Sequence, residues 1–197
     1  MTDTSPIAPP QHESRLAPSL VLVSTGNGKG ESTAAFGVML RAVACGWKVA
    51  VVQFIKGGEQ KGGEQKGGEQ RVVEQQIAEQ LGVDWVTLGD GFTWDPGDIG
   101  RDAELGRLAF ARAAAIVRAG EHQLVILDDL TYLCTWDWVP IADVVAMVLD
   151  RPPHVNLIIT GRDAPAELIS AADTVTEMRN VKHAFDSGVA AKRGLDY

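Results

Sequence analysis

The chain has 197 residues, of which 45% are hydrophobic, and this is enough for one substantial core. The composition argues against a fibrous, collagenous or wholly disordered protein. A formal net charge of −8 argues against a nucleic-acid-binding or anionic-membrane-binding surface, because partners rich in phosphate require a basic field. Any phosphate ligand must therefore be held locally.

Neither a membrane span nor a secretory leader is predicted. No stretch approaches the roughly 20 apolar residues of a membrane-spanning helix, and residues 1–18 carry neither a basic leader nor an apolar signal core. We therefore expect a cytoplasmic protein. Cys45 and Cys134 are isolated, without a Cys-x-x-Cys motif or a Cys/His cluster, so we expect buried reduced thiols rather than a disulfide or a zinc site.

Two regions are predicted along the chain. Residues 1–18 are rich in Pro, Ser and Thr without periodicity, which predicts a flexible arm or a short element ordered only by a partner. Residues 19–197 alternate between apolar runs and helical periodicity, which predicts a single α/β domain. We expect strands at 20–23, 49–54, 85–88, 124–127, 157–160 and 174–177. We expect helices at 33–44, 72–81, 101–118, 141–149 and 166–171. This order predicts a P-loop-type parallel sheet with helices on both faces and a ligand at the carboxyl ends of its strands.

One segment interrupts the regular pattern. The pentapeptide Lys-Gly-Gly-Glu-Gln occurs three times in tandem, starting at Lys56, Lys61 and Lys66. Paired glycines and polar side chains cannot build a core, so we expect a flexible loop over residues 57–70. An expanded linker is the favoured interpretation, and a mobile lid beside the active site is the alternative.

The segment after the first predicted strand is typical of a phosphate-binding loop. It reads Thr-Gly-Asn-Gly-Lys-Gly-Glu-Ser-Thr from Thr25 to Thr33. Glycines allow backbone N–H groups to converge on phosphate oxygens at the positive end of the next helix. The candidate nucleotide-binding residues are Gly26, Asn27, Gly28, Lys29, Gly30, Glu31, Ser32 and Thr33.

The loop differs from the common pattern in two ways. Three residues rather than four separate Gly26 from Gly30, and Glu31 stands where a lysine is expected. A carboxylate about 4 Å from a phosphate charge costs roughly 4 kcal/mol at an effective dielectric near 20. Two arrangements would relieve this repulsion. Either Lys29 turns inward toward the phosphate, or Glu31 turns outward and pairs with Lys29.

Two acids follow an apolar strand. Asp128 and Asp129 come directly after residues 124–127, where phosphate-binding folds place the group that holds Mg²⁺ or its water. Together with the hydroxyl of Ser32, they are the candidate metal ligands. The alternative is that they cap a helix or form a turn.

Aromatic residues and one arginine complete the candidate site. Phe92 and Trp94 lie in a predicted loop, where rigid rings either wall a flat ligand or pack in the core. For Trp136 and Trp138 we favour packing in the core.

Arg162 follows the strand at 157–160 and is placed to bind phosphate or a carboxylate, or else to form a surface salt bridge. A lone histidine is more often structural than catalytic, so we expect a structural role for His183. No Ser/His/Asp or Cys/His order indicates a nucleophilic set.

Taken together, these motifs resemble the ATP:corrinoid adenosyltransferases of the cob(I)yrinic acid a,c-diamide type, which adenosylate corrinoids in coenzyme B12 synthesis and salvage. The resemblance runs over residues 20–197. The motifs that carry it are Thr-Gly-Asn-Gly-Lys-Gly and Thr-Ala-Ala-Phe-Gly within 25–37, Val-Gln-Phe-Ile-Lys-Gly at 52–57, Gly-Phe-Thr-Trp at 91–94, Leu-Asp at 127–128, Leu-Thr-Tyr at 130–132, Ile-Thr-Gly-Arg at 159–162, Val-Lys-His-Ala-Phe at 181–185 and Gly-Leu-Asp-Tyr at 194–197.

The resemblance implies a P-loop α/β fold, a homodimer and an N-terminal arm that helps to cover the active site. It implies ATP with Mg²⁺ or Mn²⁺ at the loop, the metal supported by Ser32 and Asp128, and cobalamin or a precursor over Phe92 and Trp94. In this family such aromatics displace the lower axial ligand of cobalt(II), which makes the ion easier to reduce. A reduced flavoprotein supplies electrons, cobalt(I) attacks the ribose 5′ carbon, and triphosphate leaves.

Three departures from the family pattern are visible. Glu31-Ser32 replaces Lys-Thr, Asp129 replaces Glu, and the glycine-rich repeat replaces a shorter connection. We therefore expect a corrinoid adenosyltransferase, with activity weakened by Glu31. A non-catalytic corrinoid-binding homologue with impaired ATP binding is the alternative, and an ordinary P-loop nucleotide hydrolase or kinase is a third.

Overall fold

The structure is a computed structural model, and it describes residues 15–54, 73–88 and 99–195, without the side chains of 99–101. Most of the predicted arm, the repeat at 57–70, Phe92, Trp94 and the last two residues lie outside this description. The strands are β1 (Val21–Gly26), β2 (Val49–Gln53), β3 (Asp84–Thr87), β4 (Leu124–Asp128), β5 (Asn156–Thr160) and β6 (Thr174–Met178). The helices are α1 (Glu31–Ala44), α2 (Val73–Gln80), α3 (Ile99–Ala119), α4 (Thr131–Thr135), α5 (Ile141–Leu149) and α6 (Ala166–Ala171), followed by a 3₁₀ helix at Ala184–Ser187.

The six strands of the described ranges form one sheet in the order β3-β2-β4-β5-β1-β6. Every neighbouring pair is parallel. Because parallel strands end at the same edge, the carboxyl ends of β1, β2, β4 and β5 face one region of space. β5 separates β1 from β4, so the loop after β1 lies one strand away from Asp128. The predicted parallel α/β architecture is confirmed.

Helices cover both faces of the sheet, as predicted. Alternate strand residues enter two separate cores, because successive side chains of a strand point to opposite faces. Val125, Leu127 and Ile159 pack with α3, α4, α5 and α6 in one core. Val51 and Ile126 pack with α1 and α2 in the other. No helix within the described ranges combines the length and the apolar character needed to cross a membrane.

Two differences from the predicted elements have a physical cause. β1 continues to Gly26 rather than ending at Val23, because it pairs with β6 as far as Gly26 opposite Met178 even though its sequence has become polar. α4 and the 3₁₀ helix were not predicted, since four or five residues are too short to show a helical period. The predicted bounds of α5 and α6 are confirmed, and the remaining boundaries lie within two residues of the predicted ones.

The core around β4 provides a test of the fold. Leu127 is fully buried at 0% exposure, and we expect Leu127→Ala to lower the free energy of unfolding by about 2–5 kcal/mol through lost burial and a residual cavity. Leu149→Ala is the control, because Leu149 is 63% exposed on α5 and its change should stay within about 0.5 kcal/mol. Urea denaturation measures both, and equal effects would contradict the assignment of Leu127 to the core.

Candidate nucleotide and corrinoid site

The glycine loop turns sharply between β1 and α1. Gly26 has φ 110° and Gly30 has φ 130°, a backbone region that side chains disfavour. A Cβ at Gly26 would collide with the backbone of Met178, and one at Gly28 would lie 2.8 Å from the Met178 carbonyl carbon. The Gly28 N–H donates a 2.7 Å hydrogen bond to the Met178 carbonyl. The loop therefore rests against the end of β6, and Gly28 contributes close approach rather than a free N–H.

The start of α1 is open toward the ligand edge of the sheet. α1 begins at Glu31, and no side chain caps it at Gly30. The first N–H groups of a helix have no partners within it, so they can bind an anion. The base of the loop is fixed, because the Ala164 N–H donates to the Thr25 hydroxyl at 3.1 Å. This is the geometry expected of a phosphate-binding loop.

Asp128 lies at the end of β4 and is held from both neighbouring strands. Its side chain is nearly inaccessible, at 2% exposure. Gln53 Nε2 on β2 donates to Oδ2 at 3.1 Å, and Thr160 Oγ1 on β5 donates to Oδ1 at 2.8 Å. Burial raises the pKa of Asp128, while hydrogen bonds from Thr160, Ser32 and Gln53 act against that rise.

Asp129 forms the turn after β4 in a left-handed conformation with φ 65°. Its N–H donates to Thr160 Oγ1 at 3.0 Å. Burial, followed by the negative charges of Asp128 and Glu31, raises the pKa of Asp129 to about 7, while Arg162 acts in the opposite direction. Asp129 is therefore a carboxylate that titrates near neutral pH.

Glu31 lies within electrostatic reach of these acids. It is half-buried at the first position of α1. Its charge raises the pKa of both Asp128 and Asp129. An acidic side chain thus stands near the two aspartates at the position where a lysine is expected.

Arg162 is the cation beside Asp129. It is exposed, and its charge acts against the rise that burial causes in the pKa of Asp129 and of the Tyr132 hydroxyl. Its backbone is fixed, because the Thr131 hydroxyl donates to the Arg162 carbonyl at 2.7 Å. Gly161 has φ 128° and lies so close to Thr131 that a side chain there would collide with the Thr131 hydroxyl. Thr131 therefore positions the arginine loop.

Three aromatic rings extend from this region. The ring centroids of Tyr132 and Trp136 are 5.2 Å apart, and those of Trp136 and Trp138 are 4.7 Å apart. Trp138 packs against the core and against α3, where a Cβ at Gly106 would lie 2.8 Å from its ring. Packing, the interpretation favoured from the sequence, accounts for Trp138, while Tyr132 lies within electrostatic reach of Asp129 and Arg162.

Comparison with known proteins identifies the family. The protein family described as ATP:corrinoid adenosyltransferase BtuR/CobO/CobP matches this chain over residues 18–197, which is almost its whole length. This chain belongs to that family. A corrinoid adenosyltransferase of Escherichia coli K12 is 41% identical over 182 residues, covering 90% of this chain and 85% of the relative. CobA of Salmonella typhimurium LT2 is 39% identical over 182 residues with the same coverage. A corrinoid adenosyltransferase of a Sinorhizobium species is 37% identical over 183 residues, covering 90% and 80%.

The family resemblance stated from the motifs is therefore confirmed. As a corrinoid adenosyltransferase, the protein transfers the adenosyl group of ATP to the cobalt of a corrinoid, a step of cobalamin biosynthesis. ATP and a corrinoid are its substrates.

The donor atoms at the loop suit a magnesium ion shared with a nucleotide. Among the described residues, no group of three or more His, Cys, Asp or Glu side chains is arranged to hold a metal ion by itself. Mg²⁺ usually takes only one or two carboxylates and completes its shell with phosphate oxygens and water. Ser32 and Asp128, joined by a hydrogen bond that acts against the rise in the pKa of the carboxyl caused by burial, match that requirement.

The structure brings most of the sequence-predicted residues together and adds others. The loop from Gly26 to Thr33, Asp128, Asp129 and Arg162 surround one edge of the sheet, whereas Phe92 and Trp94 lie outside the described residues. Sequence reasoning missed Gln53, Thr131 and Thr160 as supports. All three lie in motifs that carry the family resemblance, and Gln53 and Thr160 are also polar residues ending apolar strands.

Two smaller predictions have different outcomes. His183 caps the 3₁₀ helix, because its Nδ1 accepts the Phe185 N–H at 3.1 Å, and this contact agrees with the expected structural role. The prediction of buried thiols is correct for Cys134 and wrong for Cys45, which is exposed at the end of α1. Burial raises the pKa of the Cys134 thiol to about 11.

Asp129 gives the fold a defined pH dependence. Its pKa is about 7 in the native state against an ordinary 3.8, so the native state keeps a proton that the unfolded chain releases above pH 4. The contribution of Asp129 to stability therefore falls as the pH rises from about 4 to about 7 and is constant above. Asp129→Asn cannot ionise and tolerates a positive φ. We expect it to raise the free energy of unfolding by about 1–3 kcal/mol at pH 8 and by less at pH 5.

Urea denaturation at the two pH values measures this difference. Asp163→Asn is the matched control, since Asp163 also has a positive φ of 50° but is exposed. A gain from Asp129→Asn that is the same at pH 5 and pH 8 would contradict the assigned titration.

Proposed function

We propose that this chain binds the triphosphate of ATP in the loop from Gly26 to Thr33 and transfers the 5′-deoxyadenosyl group to cobalt(I). The observation that supports this most is the geometry of that loop, which lies at the end of β1 and one strand away from the buried Asp128. Cobalt(I) supplies the electron pair that forms the cobalt–carbon bond. The bond between C5′ and oxygen breaks, its electrons leave with triphosphate, and cobalt becomes formally cobalt(III).

The protein's part in this reaction is positioning and charge stabilisation, because the corrinoid itself is the nucleophile. Backbone N–H groups at the start of α1 bind phosphate oxygens, assisted by Asn27, Lys29 and Thr33. Arg162 reaches the same edge of the sheet and offsets negative charge that develops on the leaving triphosphate.

Ser32 and Asp128 would hold a divalent ion, Mg²⁺ or Mn²⁺, that accompanies the nucleotide. Such an ion neutralises part of the triphosphate charge when bound. Ser32 offers a hydroxyl oxygen, Asp128 offers a carboxylate held by Gln53 and Thr160, and Asp129 lies next to it. The chain thus provides a prearranged set of oxygen donors.

The corrinoid contacts Phe92 and Trp94 in this proposal, which follows from the family resemblance. The two rings displace the lower axial ligand of cobalt(II), and a reduced flavoprotein then delivers the electron. A homodimer, with the arm at residues 1–18 covering the site, and a cytoplasmic location are further parts of the proposal.

The direct test follows the cobalt–carbon bond. Purified protein is mixed with ATP, Mg²⁺ and chemically reduced corrinoid, and the light-sensitive product is measured by its absorbance before and after illumination. We expect product together with one intact triphosphate per turnover. Binding of corrinoid without product would favour the non-catalytic homologue, and phosphate release without corrinoid would favour a P-loop hydrolase.

The charge at position 31 sets the affinity for ATP in this proposal. Glu31 repels both the acids and the polyanion, so we expect Glu31→Lys to tighten ATP binding by about tenfold or more. The substitution should also cost about 0.3–1 kcal/mol of stability, because an acidic residue suits the positive end of α1. Isothermal titration with Mg·ATP measures the affinity, and urea denaturation measures the stability.

Two controls separate local from global charge. Glu31→Gln removes the charge without adding another and should give an intermediate affinity. Glu121→Lys makes the same change in net charge before β4, at the opposite edge of the sheet, where Glu121 pairs with Lys48 at 3.6 Å. Equal effects of Glu121→Lys and Glu31→Lys, or unchanged affinity in Glu31→Lys, would show that Glu31 does not limit ATP binding.

A further inference from the structure

Gln53 is a buried polar residue at the end of an otherwise apolar strand. The residues before it in β2 are valine and alanine, all buried. Gln53 itself is only 6% exposed. Burying an amide in such a strand costs free energy unless its atoms find partners. Shape and hydrophobicity alone would favour an apolar residue here.

The two polar atoms of the Gln53 side chain are used unequally. Nε2 donates to Asp128 Oδ2 at 3.1 Å. Oε1 is buried without a hydrogen-bond partner in the part of the chain that the structure describes. A buried acceptor without a partner is uncommon in a native protein and often marks a site completed by a ligand.

Gln53 also acts together with Thr160. Gln53 lies opposite Asp128 in the β2–β4 register, and Thr160 ends β5 on the other side of β4. Each strand supplies one donor to one carboxylate oxygen, at 3.1 Å from Gln53 and 2.8 Å from Thr160. Two donors on different oxygens fix the plane of the carboxylate, which a single donor cannot do.

We propose that Gln53 is a positioning residue for the adenosyl transfer: its amide N–H orients the Asp128 carboxylate toward the Mg²⁺ of bound Mg·ATP, and its Oε1 accepts an O–H donor that enters with that ligand. This inference rests on the proposed function, and it deepens the role of Asp128 in it. The O–H donor is either a metal-bound water or a ribose hydroxyl.

Gln53→Met tests the proposal, because methionine has a similar length and no N–H donor. We expect the Kd for Mg·ATP to rise about tenfold, while the Kd for ATP in EDTA changes less than twofold, by isothermal titration. A residue that only supports the fold would lower the urea midpoint without changing this dependence on metal. Gln123→Met is the control, since Gln123 is exposed and accepts the Lys48 N–H before β2, at the other edge of the sheet.

Further variants keep the test decisive. If Gln53→Met does not fold, Gln53→Asn replaces it, because the shorter amide does not reach Asp128 and should show the same loss. Thr160→Ser keeps the second donor and should bind Mg·ATP with a Kd within about threefold of that of the natural protein, whereas Thr160→Val should resemble Gln53→Met.

Titration of Gln53→Met with Mg·triphosphate identifies the O–H donor. An equal loss of affinity for Mg·triphosphate and Mg·ATP indicates metal-bound water, and a loss confined to Mg·ATP indicates the ribose hydroxyl.

The outcomes distinguish the two proposals. A natural protein that binds no Mg·ATP overturns both of them. A natural protein that binds Mg·ATP and makes adenosylated corrinoid, together with a folded Gln53 variant whose Kd for Mg·ATP is unchanged within twofold, overturns only the role of Gln53.

Discussion

The site depends on one buried carboxylate that is held from two sides. Asp128 ends the central strand β4, and the neighbouring strands β2 and β5 each deliver a hydrogen-bond donor to it. Those donors are in place only because the three strands are parallel and end at the same level. Their pairing is fixed in turn by the two apolar cores, in which alternate residues of the same strands are fully buried. The polar site is thus a consequence of a register set by apolar packing.

Thr160 connects this carboxylate to the rest of the site. Its hydroxyl donates to Asp128 and accepts the Asp129 N–H, so one side chain fixes both the carboxylate and the turn after it. The next residues, Gly161 and Arg162, are held by Thr131 of α4. The cation and the acids are therefore placed by one short chain of contacts at the ends of β4 and β5.

The sequence was sufficient for the architecture and for the loop, and the reasons are local. Apolar runs and a glycine-rich turn reveal strands and a phosphate-binding loop without reference to distant residues. Gln53 and Thr160 could not be assigned in the same way, because their partner Asp128 is 75 and 32 residues away. Their role at the site depends on the order of the strands in the sheet, and the spacing of residues in the sequence does not determine that order. The predicted end of β1 was wrong for the same reason, because pairing with β6, and not hydrophobicity, determines where this strand ends.

The charges around the loop bear on which form of ATP the proposed site would favour. Glu31, Asp128 and Asp129 act on one another as like charges, and Arg162 offsets only part of that field. Free ATP would add further negative charge to this cluster, whereas a divalent ion bound to the triphosphate cancels part of it on arrival. Protonation of Asp129, whose pKa is about 7, removes another negative charge near neutral pH. If ATP binds in this loop as proposed, a nucleotide that arrives as its magnesium complex therefore meets the smaller barrier, and Glu31 makes this preference stronger than a lysine would.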